Sequence, residues 1–386
     1  MLGLAVGACG VSDPAFDPPP VEAPFVAVDA GVLHTCALTT TNRVYCWGWN
    51  DDGQVGDGSR SNRRYPSRVA GSATYASVTA GGGHTCAVTT GGAPQCWGLN
   101  FTGQLGDGST TRRTTPVVVS GGLTLTTLDA GGTYSCGLIV ADSTAWCWGW
   151  GGTGQLGDGA RSAAQPTPVA VLGGRKYTAV SGGTQHTCGL AADSTAWCWG
   201  DNGFGQLGNG TLADTTQPVL VSGGLKLIAI TTGYFHTCAL APNGDAFCWG
   251  DNSTGQLGDT LVVGSSNTPR LVLGGQSFAA ITAGAVHTCG ITVGGAGYCW
   301  GSGASGQLGS QPAALCGTTA GLQECTRVPA LISGGLSFVR ISGGTRHSCG
   351  LTTGQLVYCW GLNNYGQLGD GSSRASVTPV RVGKQP

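Results

Sequence analysis

An all-β, seven-bladed propeller is the fold this chain predicts, and three observations carry the prediction. First, a block of about fifty residues recurs seven times, marked by Trp47, Trp97, Trp148, Trp199, Trp249, Trp300 and Trp360 in Cys-Trp-Gly. The tryptophans are spaced 50, 51, 51, 50, 51 and 60 residues apart. A fixed period of this size is the signature of a repeat architecture. Second, each block holds four short strand-like runs with glycine turns and no helical period. Third, each block carries one pair of cysteines 10 or 11 residues apart.

Composition bounds the function classes. Glycine is 71 of 386 residues, and charged residues are only 10 %, against roughly 25 % in average domains. An apolar content of 40 % belongs to a packed chain, not a disordered one. A net charge of −1 gives no global attraction to nucleic acid or to an anionic membrane. Arg60, Arg63, Arg64 and Arg68 form one local basic stretch, read as a solvated loop rather than a phosphate site.

In chain order, residues 1–9 end in Leu4-Ala5-Val6-Gly7-Ala8-Cys9, which looks like the end of a truncated signal peptide closing on a bacterial lipobox. Cys9 is the expected lipidation site, and a lipid there is the only membrane attachment expected. Residues 10–24 form a linker rich in Pro and Asp, suited to an extended tether. Residues 25–386 are the propeller, expected to be monomeric and closed by pairing between its first and last strands. No other segment is apolar enough to span a bilayer.

One block, 66–108, shows the pattern. Pro66-Ser-Arg-Val-Ala reads as an opening strand after a proline. Tyr75 to Ala80 alternates as a second strand. Gly81-Gly82-Gly83 is a turn, His84-Thr-Cys-Ala-Val-Thr-Thr a third strand and Pro94-Gln-Cys-Trp-Gly a fourth.

The cysteines pair by spacing: Cys36/Cys46, Cys86/Cys96, Cys136/Cys147, Cys188/Cys198, Cys238/Cys248, Cys289/Cys299 and Cys349/Cys359. In a hairpin centred on residue 41, Cys36 and Cys46 lie opposite each other and can bridge in the closer, non-hydrogen-bonded pairing. Cys316 and Cys325 form an eighth pair inside an insertion at 310–328, leaving Cys9 alone. So many paired thiols point to an oxidising compartment. Zinc is disfavoured, because no Cys-x-x-Cys occurs.

Six histidines, His34, His84, His186, His236, His287 and His347, share one block position, with Tyr134 in the seventh. A metal ring is one reading. Recurrence favours a structural polar contact made once per blade. The aspartates of Gly-Asp-Gly read as turn residues rather than calcium ligands, since each loop offers one carboxylate. No nucleophile, base or phosphate-binding loop stands out, so neither catalytic residue nor cofactor is expected.

What varies between blocks is free to carry recognition. Leu33, Gly83, Thr133, Gln185, Phe235, Val286 and Arg346 precede the histidine position and should ring one face near the channel mouth. With Tyr234 beside Phe235, the candidate partner-binding residues are Leu33, Gln185, Tyr234, Phe235, Val286 and Arg346. A second variable ring is Asp52, Thr102, Thr153, Phe204, Thr254, Ser305 and Tyr365.

The segments His34-Thr-Cys-Ala-Leu, Tyr45-Cys-Trp-Gly and Tyr365-Gly-Gln-Leu-Gly-Asp-Gly resemble repeats of the regulator of chromosome condensation family, seven-bladed propellers. The resemblance covers 25–386. It implies an interaction platform, the family's roles including small-GTPase exchange, chromatin docking and secreted inhibition. No functional residue carries over, because those surfaces lie in variable loops. The cysteine ladder and the export signal depart from the eukaryotic pattern. The expected function is a non-catalytic, exported scaffold at a bacterial cell envelope or outside the cell, binding a protein through one face. The alternatives are a secreted enzyme inhibitor, a cell-surface enzyme acting on glycans or peptides, and a GTPase exchange factor.

Overall fold

The computed structural model describes residues 18–316 and 322–386. Among them are seven antiparallel sheets, spanning 25–68, 75–118, 125–170, 177–220, 229–271, 278–331 and 338–381. In blade 1 the strands run Phe25–Ala30, His34–Thr39, Val44–Gly48 and Arg63–Arg68, from the axis outward in chain order. The sequence expectation of a seven-bladed propeller holds.

Two finer expectations do not hold. Pro66 does not open a block; it lies inside Arg63–Arg68, the outer strand of blade 1, which pairs through Tyr45↔Arg68 and Cys46↔Ser67. A sequence period has no phase, so only the pairing shows where a blade begins. Nor is the ring closed by strand exchange. Blades 1 and 7 are each one continuous stretch of chain. Closure falls to side chains and to residues before the first strand. Val21 N donates to Lys384 O at 2.9 Å, and Val21 and Ala23 are buried. The propeller's packing therefore takes in residues assigned above to the linker. The rest of that linker up to residue 17, and the lipobox with Cys9, lie outside the described residues.

Every blade turns two unlike faces to its neighbours, because successive residues of a strand point to opposite sides. One face carries the disulfide and the other the Cys-Trp-Gly tryptophan. Between blades 1 and 2, Cys36, Cys46 and Val55 meet Tyr75, Ala87 and Trp97. Between blades 7 and 1, Cys349, Cys359 and Leu368 meet Phe25, Ala37 and Trp47. The other five seams repeat this core. The fold thus has its apolar interior at the seams between blades.

Each blade carries one disulfide between its second and third strands. The bridges are Cys36–Cys46, Cys86–Cys96, Cys136–Cys147 and Cys188–Cys198 in blades 1 to 4. Cys238–Cys248, Cys289–Cys299 and Cys349–Cys359 follow in blades 5 to 7. In all seven the two cysteines are direct partners in the strand register. Their Cα atoms are 4.1 Å apart for Cys86–Cys96 and 4.0 Å for Cys289–Cys299. That is the close, non-hydrogen-bonded pairing expected from the spacing. The eighth bridge, Cys316–Cys325, joins two strands of the blade 6 insertion. All sixteen cysteines are without solvent exposure.

The loop motif Gly-Gln-Leu-Gly follows from the same seams. A Cβ on Gly56 (φ +78°) would come within 2.5 Å of the Trp97 indole nitrogen, and one on Gly369 within 2.6 Å of that of Trp47. Only glycine fits there. The Gln54 carbonyl accepts both the Trp97 indole N–H (2.9 Å) and the Thr85 hydroxyl (2.7 Å) from the next blade. His34 Nε2 lies 2.9 Å from the same Thr85 Oγ1. Because the hydroxyl proton is committed to Gln54, His34 Nε2 must donate. The relay recurs as His84–Ser135, His186–Thr237, His236–Thr288, His287–Ser348 and His347–Thr35. Tyr134 takes the histidine's place with its hydroxyl 2.5 Å from His186 O and 2.9 Å from Thr187 Oγ1. The histidines are structural links between blades.

Candidate functional site

The innermost strands place one polar residue per blade around the axis: Asp29, Thr79, Asp129, Ser181, Thr231, Thr282 and Ser342. Each accepts a backbone N–H from the next blade, beginning with Ala80 N to Asp29 (2.8 Å) and Ala130 N to Thr79 (3.2 Å). The circle runs on through Gly182, Thr232, Ala283 and Gly343 and closes with Ala30 N to Ser342 (2.9 Å). These groups end strands whose next residues turn away, so a side chain must satisfy the freed N–H. Reading by sequence passes over this ring. Its signal is a short acceptor two residues before each glycine turn, visible only once the blocks are laid over one another.

Around this ring lies an axial cavity of about 140 Å³, walled mostly by glycine, alanine and hydroxyl side chains, with Asp29 and Asp129 as its charged groups. Burial raises the pKa of Asp129 to about 6 against the pull of Gly182 N–H, and burial likewise raises Asp29. Burial holds the relay histidines neutral, pushing His34 down to about 3 and His84 to about 4. Among the described residues no group of three or more His, Cys, Asp or Glu could hold a metal, and no helix is long and apolar enough to cross a membrane.

The cysteines singled out by spacing stand apart from any recognition surface. Cys96, Cys147, Cys198, Cys248 and Cys299, like their strand partners, sit inside the seams, and none lines the axial cavity. With both thiols of each pair spent in a bridge, they offer no nucleophile and no metal ligand. Their part is structural.

The variable rings lie together on one face. The turn between the first two strands carries Leu33, Gln185, Tyr234, Phe235, Val286 and Arg346, and the loop between the third and fourth strands carries the second ring. The backbone of the first ring is pinned: Leu33 O accepts Trp49 N, Gln185 O accepts Asp201 N, Phe235 O accepts Asp251 N, Val286 O accepts Ser302 N and Arg346 O accepts Leu362 N. These bonds hold the turn through its main chain and leave most of its side chains outside the pinning contacts.

The two rings interleave between neighbouring blades. Thr102, Thr153 and Thr254 donate their hydroxyls to Thr133 O, Gln185 O and Val286 O, so these second-ring residues serve the scaffold. The aromatic members differ. Phe204 packs on Phe235 with centroids 5.0 Å apart and the rings tilted by 39°, and Tyr234 meets Phe235 at 6.3 Å, edge to face. Tyr234 also reaches across the channel mouth, its hydroxyl 2.8 Å from Thr345 Oγ1 on blade 7. Phe204 is exposed, Tyr234 and Phe235 are half-buried, and Arg346 beside Thr345 is exposed. Leu33, Gln185 and Val286 are half-buried around the same mouth.

The basic stretch is not a solvated loop: Arg63, Arg64 and Arg68 lie in the outer strand of blade 1, and Arg63 is buried. Arg63 pairs with Asp57 at 2.6 Å, Arg68 with Glu22 at 2.9 Å, and Arg60 donates to Asp51 O. The Gly-Asp-Gly carboxylates act as turn residues, as Asp57 accepting Ser59 N and Asp107 accepting Ser109 N show. The insertion adds a fifth strand, Ala314–Cys316, to blade 6.

A closed ring of seven near-identical blades, with recurring seams and one variable loop face, defines a seven-bladed β-propeller of repeat class. The chain belongs to the family of the regulator of chromosome condensation (RCC1) repeat. Profiles of that repeat match residues 41–88, 142–190, 193–240, 243–291, 295–351 and 356–385, and a second RCC1 profile matches five further stretches from 25–54 to 338–367.

Among relatives, the ultraviolet-B receptor UVR8 of Arabidopsis thaliana is 29 % identical over 244 residues, covering 61 % of this chain and 52 % of its own length. The human E3 ubiquitin-protein ligase HERC2 is 31 % identical over 364 residues, covering 92 % of this chain but 5 % of the ligase. The chain thus spans about half of the first relative and a small part of the second. The solved structure of Prp20p from Saccharomyces cerevisiae, described with its binding to Gsp1p and histones, superposes with a TM-score of 0.78. It is 21 % identical, over 94 % of this chain and 87 % of that one. At that identity it shows the fold alone.

Proposed function

We propose that this chain is a non-catalytic, exported scaffold that binds a protein partner through the face bearing Leu33, Gln185, Tyr234, Phe235, Val286 and Arg346. The observation that carries this is the Phe204–Tyr234–Phe235 cluster on a hydrogen-bonded main chain, with Arg346 exposed across the mouth. Rigid aromatics and arginine are the side chains that dominate binding energy at interfaces. Eight buried disulfides support an oxidising location. Lipidation at Cys9, in a bacterial envelope, is part of the same reading.

Two experiments test it. Replacing Tyr234, Phe235 and Arg346 together by alanine should abolish recovery of the native partner while the thermal melt shows a folded ring; unchanged recovery rejects this face. Intact mass of the native gene product from the membrane fraction should show acylation at Cys9 and a gain of sixteen hydrogens on reduction, for eight bridges. An unacylated chain with free thiols rejects the exported location.

A further inference from the structure

The outermost strand of each blade is an open sheet edge, and such edges invite strand addition unless they are blunted. In six blades proline blunts them. Pro66, Pro116, Pro168, Pro218, Pro269 and Pro379 each stand in the edge strand. A proline has no N–H to offer an incoming chain.

Blade 6 departs from this rule. Only the first three residues of its proline strand, Gln323–Leu331, are covered, since Ala314–Cys316 pairs outside them through Ala314↔Cys325, Leu315↔Glu324 and Cys316↔Gln323, while Pro329 stands in the uncovered part. The added edge, Ala314–Cys316, has no proline. Its position is held by the buried Cys316–Cys325 bridge. Leu315 is 59 % exposed at this edge. Glu324 is exposed directly opposite Leu315.

We propose that the Ala314–Cys316 edge takes an extended segment of a partner protein as a sixth strand of blade 6. An edge strand offers main-chain donors and acceptors at strand spacing, which an extended chain completes and a helix does not. The segment is expected to alternate, with an apolar side chain toward Leu315 and a lysine or arginine within reach of Glu324. A second copy of this chain is the competing occupant. This edge belongs to blade 6, whereas the aromatic cluster is built by blades 4 and 5.

The test is selection from a random linear dodecapeptide library displayed on phage, against the full oxidised chain. Enriched peptides should alternate apolar residues, lack central proline and slow amide exchange at Ala314–Cys316. Leu315→Pro, which puts a proline into the added edge strand, should weaken them about tenfold or more. If that variant melts early, Glu324→Lys is read instead, with the same weakening expected of peptides that carry a lysine or arginine. Peptides indifferent to both changes, or no enrichment over the Leu315→Pro background, overturn the proposal. So does a concentration-dependent dimer that Leu315→Pro abolishes. Retained peptide binding in the Tyr234, Phe235 and Arg346 triple alanine variant separates this edge from the aromatic face, so either can fail alone.

Discussion

The indole N–H of Trp47 donates to the main-chain carbonyl of Gln367 at 3.0 Å, joining residues 320 positions apart. It is the same bond that Trp199 makes to Gln155 at 2.9 Å within the body of the chain. The junction between the chain's first and last blades is therefore chemically an ordinary seam. Thr35 strengthens the likeness by donating to Gln367 O and meeting His347 Nε2, both at 2.9 Å.

Equivalent seams predict equivalent costs. Trp47→Phe and Trp199→Phe each remove one buried donor and part of a large buried side chain, a loss of about 2–4 kcal/mol. Denaturant melts should give the two variants the same destabilisation within about 0.5 kcal/mol. A much larger loss for Trp47 would mean that closure depends on that junction in particular.

Continuous blades also predict tolerance to circular permutation. Joining residues 386 and 21 through a short flexible linker and opening the exposed turn at Gly71–Ser72 keeps every sheet whole. The permutant should fold with all eight bridges, as peptide mapping of the oxidised protein would show. Failure to fold would mean that the 1–7 seam must form in one particular order.

The disulfides should be protected and individually modest. Each blade pair closes a loop of about eleven residues, worth about 2–3 kcal/mol in the chain-entropy account. Replacing Cys36 and Cys46 together by alanine should cost about that amount in a denaturant melt, and so should the same change at Cys188 and Cys198. Native protein should resist reduction until denaturant is added, since the sulfurs are fully buried.

Acid should unfold the ring from one side of pH only. The six relay histidines are held at about 3 to 4, below the usual 6.5. Folded-state depression means that the unfolded chain takes up protons first, so stability is full above about pH 6.5 and falls as pH drops toward 3. Asp129 works the other way. Its folded value, raised to about 6, lies above the ordinary carboxylate value, so it disfavours the fold above pH 6 and ceases to do so below about 4. Six lowered histidines outnumber the two raised carboxylates, so the melting temperature should fall steadily between pH 6.5 and 4. Asp129→Asn should stabilise at pH 8, by about 1–2 kcal/mol allowing for channel water, and have little effect at pH 4. A gain at pH 4 larger than that at pH 8 would contradict this assignment.

Tyr134 supplies a sharper check on the relay. Tyr134→His restores the residue used in the other six blades, and its Nε2 can donate to Thr187. Stability within about 1 kcal/mol of the parent is expected, whereas Tyr134→Ala leaves a buried void and should cost about 3–5 kcal/mol. Equal losses from both would show that blade 3 has adapted its packing to the tyrosine.

The chain's seven in-phase tryptophans, facing cysteines and glycine-punctuated runs were enough to specify blade number, disulfide pairing and the structural role of the histidines. These are local or periodic properties, and each seam repeats one solution. Phase was not legible, because a cyclic pattern reads the same from any starting strand; pairing of Val44–Gly48 with Arg63–Arg68 decided it. The ring from Asp29 to Ser342 was not legible either, because its partners lie on the next blade, about fifty residues away in sequence. The candidate face was legible as variable positions. Which of them the scaffold itself uses, as Thr153 and the Tyr234 hydroxyl are used, depends on contacts across seams and across the channel mouth. Such contacts join residues with no sequence relation, so only the tertiary structure decides them.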